Sequence, residues 1–389
     1  MSHALIVEAL RSPRGRGNDK GALRNLKPVD LLAQQLQALT TRTPLQTAEF
    51  NDVYMGCVTQ TADQGANIAK LALIKAGWDD CVPGMSINRY CASGLSAVHM
   101  AAQQAMAYDG LAVGGGIEMM SRVPMASDKG PLTHDFEFQM QTGLIPIGIA
   151  ADVIATQEGF TRQQCDDYAL ASQQRAVAAR DRGPTRAMAD AQDETPRANT
   201  SLESLAAIQP AFAAMAEKYG IDKLMCQRYG LAKIEHVQHA GNSPAMADGA
   251  SAVLVASPGA AQRAGLQARA KILATATVSA DRTLALTGAV QATQQALARA
   301  NLTVQDIDLF EVNESFAALM LHYMKHLAVP HHKLNVNGGA IALGHAMGST
   351  GSALIGVALD ELERTQQKRA VVALCGAAGL AVAMVIERI

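Results

Sequence analysis

The stretch MSINRYCASGLSAV, residues 85–98, describes a short strand, a turn that holds Cys91 and the start of a helix. A second stretch, KLNVNGGAIALGHAMGSTG at residues 333–351, repeats this plan with His345 in a glycine-rich turn. An apolar strand follows each helix, LAVGGGIE in the first case and AVVALCG in the second. The sequence therefore predicts two related halves, each with a reactive side chain where a strand gives way to a helix.

Strand and helix patterns alternate around the first of these stretches. LIVEAL and DVYMGCV are short apolar runs typical of strands, whereas PVDLLAQQLQAL and NIAKLALIKAG have the spacing of helices. Such alternation favours βαβ units on a mostly parallel sheet. The predicted fold class is therefore α/β.

The middle of the chain, from about Met119 to Val237, is richer in polar and charged residues. It contains an amphipathic helix, QCDDYALASQQRAVAARDR, and a poorly periodic linker, GPTRAMADAQDETPRANT. We interpret it as an inserted loop domain at the surface. The predicted division is residues 1–118 plus about 246–267 for the N-terminal half, 119–245 for the loop domain and 268–389 for the C-terminal half.

The charge and the cysteines narrow the class of protein. Thirty-three Lys and Arg against 35 Asp and Glu give a net charge of −2, and no basic run suits a phosphate backbone, so nucleic acid is not an expected partner. The six cysteines are scattered without CxxC pairs, which favours free thiols in a reducing compartment. We therefore expect a cytoplasmic protein.

A membrane partner is not expected either. The N-terminus lacks the apolar core and the cleavage site of a signal peptide. The uncharged stretch Ala370–Ile386 is short for a membrane span and rich in Ala and Gly. We predict that it forms two buried strands around a glycine turn.

Cys91 is the first candidate catalytic residue. A helix start and a neighbouring base can lower the pKa of a thiol and make it a nucleophile at neutral pH. The alternative is a buried and inert cysteine. The glycines around His345 indicate close backbone approach, either to a ligand at a reactive histidine or in a dinucleotide-binding or structural turn.

Two further residues could take part in the same chemistry. Cys375, at the end of AVVALC, could exchange a proton at the carbon next to a thioester carbonyl, although packing is an alternative role. Asn313, in FEVNESFAALM, could orient a water or donate to an oxyanion, or cap the helix that follows.

Metal and redox cofactors are not expected. His322 and His326 have the i, i+4 spacing of metal ligands on a helix, but no Glu follows the first His as the metalloprotease pattern requires. LAVGGGIE lacks the GxGxxG spacing of a nicotinamide site.

Together these stretches closely resemble the thiolase family over nearly the whole chain. The resemblance is carried by RSPRGRGNDKGAL, NRYCASGLSAV, GGGIEMMSRVPM, AGNSPAMADGASAVL, VNESFA, NGGAIALGHAMGSTG and CGAAGLAVAM. It implies a layered αβαβα sandwich of two similar halves with an inserted loop domain. It also implies acyl-CoA and coenzyme A as substrates, no cofactor, and a homodimer or homotetramer.

The resemblance implies a role for each candidate. Cys91 would be the acylated nucleophile, His345 the base that activates it and Cys375 the general acid/base at the α-carbon. Asn313, through a held water, would join His345 in an oxyanion site for the enolate. The backbone N–H groups of Cys91 and Ala377 would form a second oxyanion site.

The sequence departs from the family pattern near the implied substrate site. Ala377 and Ala378 stand where the family usually has glycines. Pro244 stands where a serine usually meets the pantetheine arm, which leaves Ser243 as a weak substitute.

Two alternatives to a thiolase remain at this point. One is another condensing enzyme of the same fold, such as a ketoacyl synthase or a hydroxymethylglutaryl-CoA synthase, although CGAAG and GHAMG favour a thiolase. The other is a catalytically silent paralogue that binds acyl-CoA. A thiolase would either cleave 3-ketoacyl-CoA by thiolysis or condense two acetyl-CoA molecules.

Overall fold

The computed structural model describes residues 3–183, 185–188 and 192–389. Its strands are β1 (Leu5–Arg11), β2 (Gly15–Arg16), β3 (Phe50–Gly56), β4 (Met85–Ile87), β5 (Leu111–Met119), β6 (Ala247–Ala256), β7 (Ala270–Ser279), β8 (Leu309–Val312), β9 (Arg369–Cys375) and β10 (Leu380–Arg388). Its α-helices are α1 (Pro28–Arg42), α2 (Ile68–Ala76), α3 (Ser93–Tyr108), α4 (Pro131–His134), α5 (Phe136–Thr142), α6 (Ile147–Glu158), α7 (Arg162–Asp181), α8 (Leu202–Ala206), α9 (Ala213–Lys218), α10 (Ile221–Tyr229), α11 (Pro258–Arg263), α12 (Gly288–Ala300), α13 (Ala317–Leu327), α14 (Ala340–Leu343) and α15 (Met347–Thr365).

The strand order shows that the two halves are built alike. The hydrogen-bonded order is β4-β3-β5-β6-β1-β7-β10-β9-β8, with β2 beside β6. Outward from the β1–β7 junction, β6, β5 and β3 occupy the places that β10, β9 and β8 occupy on the other side. Leu334 forms a parallel bridge to Phe310 of β8, in the place that β4 takes beside β3. The predicted pair of similar halves is confirmed.

The sheet is mixed, and the prediction of a mostly parallel sheet is wrong. β3 runs parallel to β4 and β5, and β8 runs parallel to β9, whereas the other neighbours along this order are antiparallel. The predicted strands of the C-terminal stretch are β9 and β10, which the short turn 376–379 joins as a hairpin. A hairpin connection forces its two strands to be antiparallel.

Helices and half-sheets alternate in five layers. α3 and α15 form the middle layer, in which α3 packs on β3 and β5, and α15 packs on β1, β9 and α3. α1 and α2 cover the outer face of the N-terminal half, and α12 covers the outer face of the C-terminal half. Three separate clusters of buried apolar side chains fill the spaces between these layers. This confirms the αβαβα sandwich.

Glycines let the start of α15 approach the N-terminal half closely. A Cβ atom added at Gly116 of β5 would lie 2.0 Å from the carbonyl oxygen of Gly348, and one added at Gly94 of α3 would lie 2.7 Å from the same oxygen. Any side chain would therefore separate the two halves at this point. The starts of α3 and α15 meet here, which places the two strand-to-helix turns next to each other.

The segment between β5 and β6 contains helices α4–α10. It has a small apolar core of its own, formed by Ile149, Val153, Ala216, Ile221, Met225 and Ile234. The predicted amphipathic helix is α7, which begins with a capping box between Thr161 and Gln164. The predicted linker falls partly outside the described residues, and Asp193 beyond that gap forms a two-bond ion pair with Arg11 (2.7 and 2.8 Å). The proposed domain limits at 118, 245 and 268 stay predictions.

One stretch, 136–158, is long and apolar enough to cross a membrane by composition alone. The residues 143–146 interrupt it and divide it into α5 and α6. Eight residues of α6 are buried in the protein, and the helix packs against α13. Core helices meet the same criterion, so this stretch is weak evidence for a membrane span.

Candidate active site

Cys91 lies in a strained turn between β4 and α3. The preceding residue, Tyr90, has a φ of +49°, which is a left-handed conformation that few side chains adopt. The Ser93 hydroxyl fixes the turn, since it accepts from the Arg89 N–H (2.8 Å) and donates to the Tyr90 carbonyl (2.6 Å). These two hydrogen bonds fix the backbone just before the half-buried Cys91.

The thiol of Cys91 is protonated at rest. Burial raises its pKa to about 12, and the neighbouring Cys375 thiol and Glu118 carboxylate raise it further, because a thiolate at Cys91 would repel negative charge on either group. The expected lowering of this pKa at the helix start is therefore wrong for the free enzyme, because desolvation outweighs the N–H groups. A base must then remove the thiol proton when the thiol attacks.

Cys375 ends β9 next to the Cys91 turn. A Cβ atom added at the following residue, Gly376, would lie 3.2 Å from the Arg89 carbonyl oxygen and 3.5 Å from the Tyr90 Cβ atom. Burial raises the pKa of the Cys375 thiol to about 11. The Ser315 hydroxyl, 3.1 Å from Cys375 Sγ, opposes that rise. The two thiols, one from each half, are therefore neighbours.

His345 precedes α15 and is held in one tautomer. Its Nδ1 atom lies 2.9 Å from Thr350 Oγ1, and the Thr350 hydroxyl lies 2.9 Å from the Ala346 carbonyl oxygen, which can only accept. The hydroxyl proton therefore goes to Ala346, and Nδ1–H donates to Thr350. The proton on Nδ1 leaves a lone pair on Nε2, which is buried with no hydrogen-bond partner among the described residues.

His345 is also neutral at rest. Burial and the charge of Arg14 lower its pKa to about 3. The buried Arg14 guanidinium donates to the Ser349 hydroxyl (2.9 Å) on the first turn of α15. A neutral imidazole with a free Nε2 lone pair can accept the proton of a thiol and then donate it to a developing oxyanion.

Asn313 follows β8 and lies beside Cys375. Its N–H donates to the Ala373 carbonyl (3.0 Å), and its Nδ2 donates to Ser315 Oγ (3.1 Å). Its Oδ1 is buried without a hydrogen-bond partner in the described parts of the chain, so it is available to hold a water. Asn313 does not cap the next helix, because the residue at that cap is Phe316.

The sequence predicts substrate contacts for Ser243 and for the Ala377 N–H. The Ser243 hydroxyl oxygen is buried and has no hydrogen-bond partner within the described residues, beside the half-buried Pro244. Ala377 begins the turn after Cys375, and Ala378 adopts a φ of +56°, which explains why a glycine suits that position. The substrate roles of Ser243 and the Ala377 N–H stay predictions.

Four residues around the candidates were missed from the sequence: Arg14, Glu118, Ser315 and Thr350. Ser315 and Thr350 are polar residues in motifs that were otherwise recognised, but nothing local shows which atoms they contact. Glu118 carried the clearer signal, since it is an acidic residue in the apolar strand LAVGGGIE.

Glu118 connects the two halves beneath the site. Its carboxylate accepts from the N–H groups of Val58 (3.0 Å) and Thr59 (3.2 Å), from Gln64 Nε2 (2.7 Å) and from the Gly348 N–H (3.0 Å). Burial raises the pKa of Glu118, and these four N–H donors oppose that rise. They match the four acceptor positions of an ionised carboxylate.

The fold and the site define a class of enzyme. Two neighbouring thiols, an amide beside one of them, and a neutral imidazole before the start of α15, which meets α3, come from the two halves. Groups of these types can form and break thioesters and move a proton to or from carbon. These are the requirements of acyl transfer through a cysteine.

Comparisons with known proteins agree with this class. The thiolase N-terminal domain family matches residues 4–217, and the thiolase C-terminal domain family matches residues 266–388. The chain is 37% identical over 415 aligned residues to a 3-ketoacyl-CoA thiolase of Serratia proteamaculans, with both chains fully covered. It is 35% identical to a 3-ketoacyl-CoA thiolase of Erwinia tasmaniensis, again with full coverage.

A solved structure resembles the whole chain. It is the crystal structure of the Bacillus anthracis acetyl-CoA acetyltransferase, with a TM-score of 0.85, 29% identity, and coverage of 100% of this chain and 99% of the other. This chain belongs to the thiolase family. It is an acyltransferase.

Proposed function

We propose that this thiolase cleaves 3-ketoacyl-CoA with free coenzyme A, or runs the reverse Claisen condensation, through an acyl thioester on Cys91. The observation that carries the proposal is that two thiols, the half-buried Cys91 and the buried Cys375, are neighbours and come one from each half. The full-length relatives named 3-ketoacyl-CoA thiolases support this substrate class.

In the first step of cleavage, His345 Nε2 removes the proton of Cys91 while the sulfur attacks the 3-keto carbon. The bond between C2 and C3 then breaks, its electron pair forms the enolate of acetyl-CoA, and the shortened acyl group stays on the Cys91 sulfur. Cys375 gives its proton to C2, which completes that product. The protonated His345 and a water on Asn313 stabilise the enolate oxygen.

In the second step, the thiol of coenzyme A attacks the acyl group on Cys91 and gives its proton to the Cys375 thiolate. The bond from the acyl carbon to Cys91 breaks, and the proton on His345 returns to the Cys91 sulfur. Both proton carriers are then restored. The N–H groups of Cys91 and Ala377 would hold the oxyanion of each tetrahedral intermediate.

The proposed substrates are acyl-CoA and coenzyme A, and the chemistry requires no resident cofactor. The preorganised donors and the two thiols handle both charge and protons. The unpartnered Ser243 hydroxyl supports its proposed contact with the pantetheine arm, since a buried hydroxyl gains from a ligand partner.

We also propose a homodimer or homotetramer in the cytoplasm. β4 is an edge strand, and Leu71, Ile74 and Met85 are exposed apolar side chains on α2 and β4. Edge strands and exposed apolar groups of this kind are often covered by a second subunit. The six free cysteines support a reducing compartment. Light scattering coupled to size-exclusion chromatography tests the oligomeric state.

Thiolysis of acetoacetyl-CoA and of longer 3-ketoacyl-CoA substrates, followed by loss of the substrate absorbance, tests the proposed activity. We expect turnover, and mass spectrometry of rapidly quenched enzyme should find the acyl group on the peptide that contains Cys91. The variant Cys81→Ala, at an exposed thiol, serves as the matched control. A folded wild-type enzyme that turns over none of these substrates would instead favour the silent acyl-CoA-binding paralogue.

A further inference from the structure

The helices α6 and α13 are in contact and bring three metal-ligating side chains together. Glu158 is the last residue of α6, and His322 and His326 lie one turn apart on α13. Glu158 Oε1 lies 3.0 Å from His322 Nδ1 and 2.7 Å from His326 Nε2. One oxygen and two ring nitrogens thus lie within 4.8 Å of one another.

These distances suit a small transition-metal ion after a slight expansion. A tetrahedral Zn²⁺ with ligands at about 2.0–2.1 Å separates its ligand atoms by roughly 3.3 Å. The present separations from Glu158 Oε1 are shorter by a few tenths of an ångström, which small side-chain rotations can supply. Neutral imidazoles and an ionised carboxylate are the ligand types that such ions prefer.

The surroundings also favour a cation. Glu158 closes α6, and His326 lies in the last turn of α13, so both side chains belong to helix C-termini, where the helix dipole favours a positive charge. The His326 side chain is 44% exposed, which leaves a path for an ion to enter.

We propose that Glu158, His322 and His326 form a binding site for a divalent transition-metal ion of the Zn²⁺ type, with water as the remaining ligand. Each imidazole would carry its proton on the ring nitrogen that faces away from the ion. The bound ion would join α6 of the inserted segment to α13 of the C-terminal half. It is thus a structural connection, separate from the metal-free chemistry proposed for Cys91.

Lys325 is the competitor at this site. Its Nζ donates to Glu158 Oε2 at 2.7 Å, and it lies over the Phe160 ring. The alternative to a metal site is therefore a purely ionic cluster in which Lys325 satisfies the carboxylate. The metal site and the purely ionic cluster predict different results for Lys325→Ala. Loss of the competing charge strengthens binding at a metal site, whereas a purely ionic cluster binds no ion with or without Lys325.

The experiment uses full-length protein with its accessible thiols blocked by iodoacetamide, because Zn²⁺ also binds thiolates. We expect calorimetry to show one Zn²⁺ site per chain, a loss of at least about tenfold in affinity for His326→Gln, and tighter binding for Lys325→Ala. His332→Gln, at an exposed histidine outside the cluster, is the matched control and should bind as the wild type does.

Crystals soaked in Zn²⁺ and measured at the zinc absorption edge locate the ion directly. An anomalous peak between Glu158, His322 and His326 would support the proposal. Saturating Zn²⁺ with no peak there, or equal Zn²⁺ affinity for wild type and His326→Gln, would overturn it. Because neither readout measures turnover, such a failure would leave the proposed thiolysis untouched.

Discussion

The two strand-to-helix turns occupy equivalent places in the two halves but are held in different ways. In the N-terminal half, residues 88–92 connect β4 directly to α3, and Ser93 fixes the Cys91 turn from within. In the C-terminal half, the longer connection 335–346 includes α14 and is held by hydrogen bonds to other parts of the chain. The His345 N–H, for example, donates to the Ala245 carbonyl (2.8 Å) at the end of the inserted segment.

This difference shows how a repeated plan yields two functions. The nucleophile is positioned by its own half, whereas the base is positioned by contacts with the inserted segment and with α15. Glu314, next to Asn313, links α7 to the connection before His345, since it accepts from Tyr168 (2.9 Å) and Ser172 (2.7 Å) of α7 and from the Ile341 N–H (3.0 Å). We therefore expect changes in the inserted segment to disturb His345 more than Cys91.

The largest effect on turnover is expected from a substitution in the N-terminal turn. Cys91→Ala removes the acyl acceptor, and we expect turnover to fall by roughly a thousandfold or more. The thiolysis assay measures this loss, and circular dichroism checks the fold. Activity above a tenth of the wild-type rate in a folded Cys91→Ala enzyme would exclude acylation at this position.

Cys375→Ala should cost roughly 10²- to 10⁴-fold in turnover, the usual contribution of a general acid/base. Acylation of Cys91 by an acyl-CoA needs no proton transfer at carbon, and solvent can protonate the leaving coenzyme A thiolate in place of Cys375, so acylation should persist at a reduced rate and be visible by mass spectrometry. If acylation fell as far as turnover, the main role of Cys375 would be to protonate the leaving coenzyme A and not to exchange a proton at the α-carbon.

Thr350→Val tests whether the Thr350 hydroxyl holds His345 in its reactive tautomer. It leaves Nδ1–H of His345 without its acceptor, which costs about 1–3 kcal/mol for a buried donor. We expect kcat to fall by roughly 10- to 100-fold, because the favoured tautomer is lost. Thr350→Ser should restore most of the rate, since it keeps the hydroxyl. A Thr350→Val enzyme with an unchanged kcat would mean that other contacts fix the ring.

Ser315→Ala should have a smaller effect through the pKa of Cys375. The Ser315 hydroxyl lowers that pKa, so its removal should raise the pKa further. Because Cys375 acts as a thiolate in condensation, the rising limb of the condensation rate against pH should move to higher pH. Below that limb we expect the rate to fall about two- to tenfold, which corresponds to one neutral hydrogen bond. A limb that stays in place or moves to lower pH would contradict the assignment of Cys375 as the base.

The smallest effect is expected at the turn that follows Cys375. Ala378 has a φ of +56°, so Ala378→Gly relieves strain but adds freedom to the unfolded chain, for a net gain of about 0.5 kcal/mol in the free energy of unfolding. Denaturant unfolding measures this change. Destabilisation by Ala378→Gly would show that the methyl group contributes packing energy that outweighs the strain.

The sequence predicted what depends on local pattern. The two related turns, the C-terminal strand pair and the candidates Cys91, His345 and Cys375 all follow from glycines, apolar runs and helix starts. The direction of the central strands could not be predicted in this way, because it depends on which strands become neighbours. The raised pKa of Cys91 depends likewise on burial, which arises only when the two halves pack together.

Contacts between residues that are distant along the chain could not be predicted either, because they too arise only when the two halves pack together. Nothing near Thr350 shows that its hydroxyl receives the Nδ1–H of His345. Glu158 is separated by a long stretch of chain from His322 and His326, so a search for a ligand beside the first histidine missed it. The prediction that no metal is bound covered His322 and His326 as well as the catalytic site. The ion site proposed above departs from that prediction, which stays untested at both places.

The Glu118 carboxylate sets a limit on how this enzyme can move. Because the same buried anion holds the loop after β3 and the first turn of α15, sliding one half over the other would strip hydrogen bonds from a charge that water cannot reach. The two reactive turns should therefore behave as one rigid body. Acyl groups of different size would then be accommodated by rearrangement of the inserted segment, while the distance between the Cys91 sulfur and the His345 imidazole stays constant.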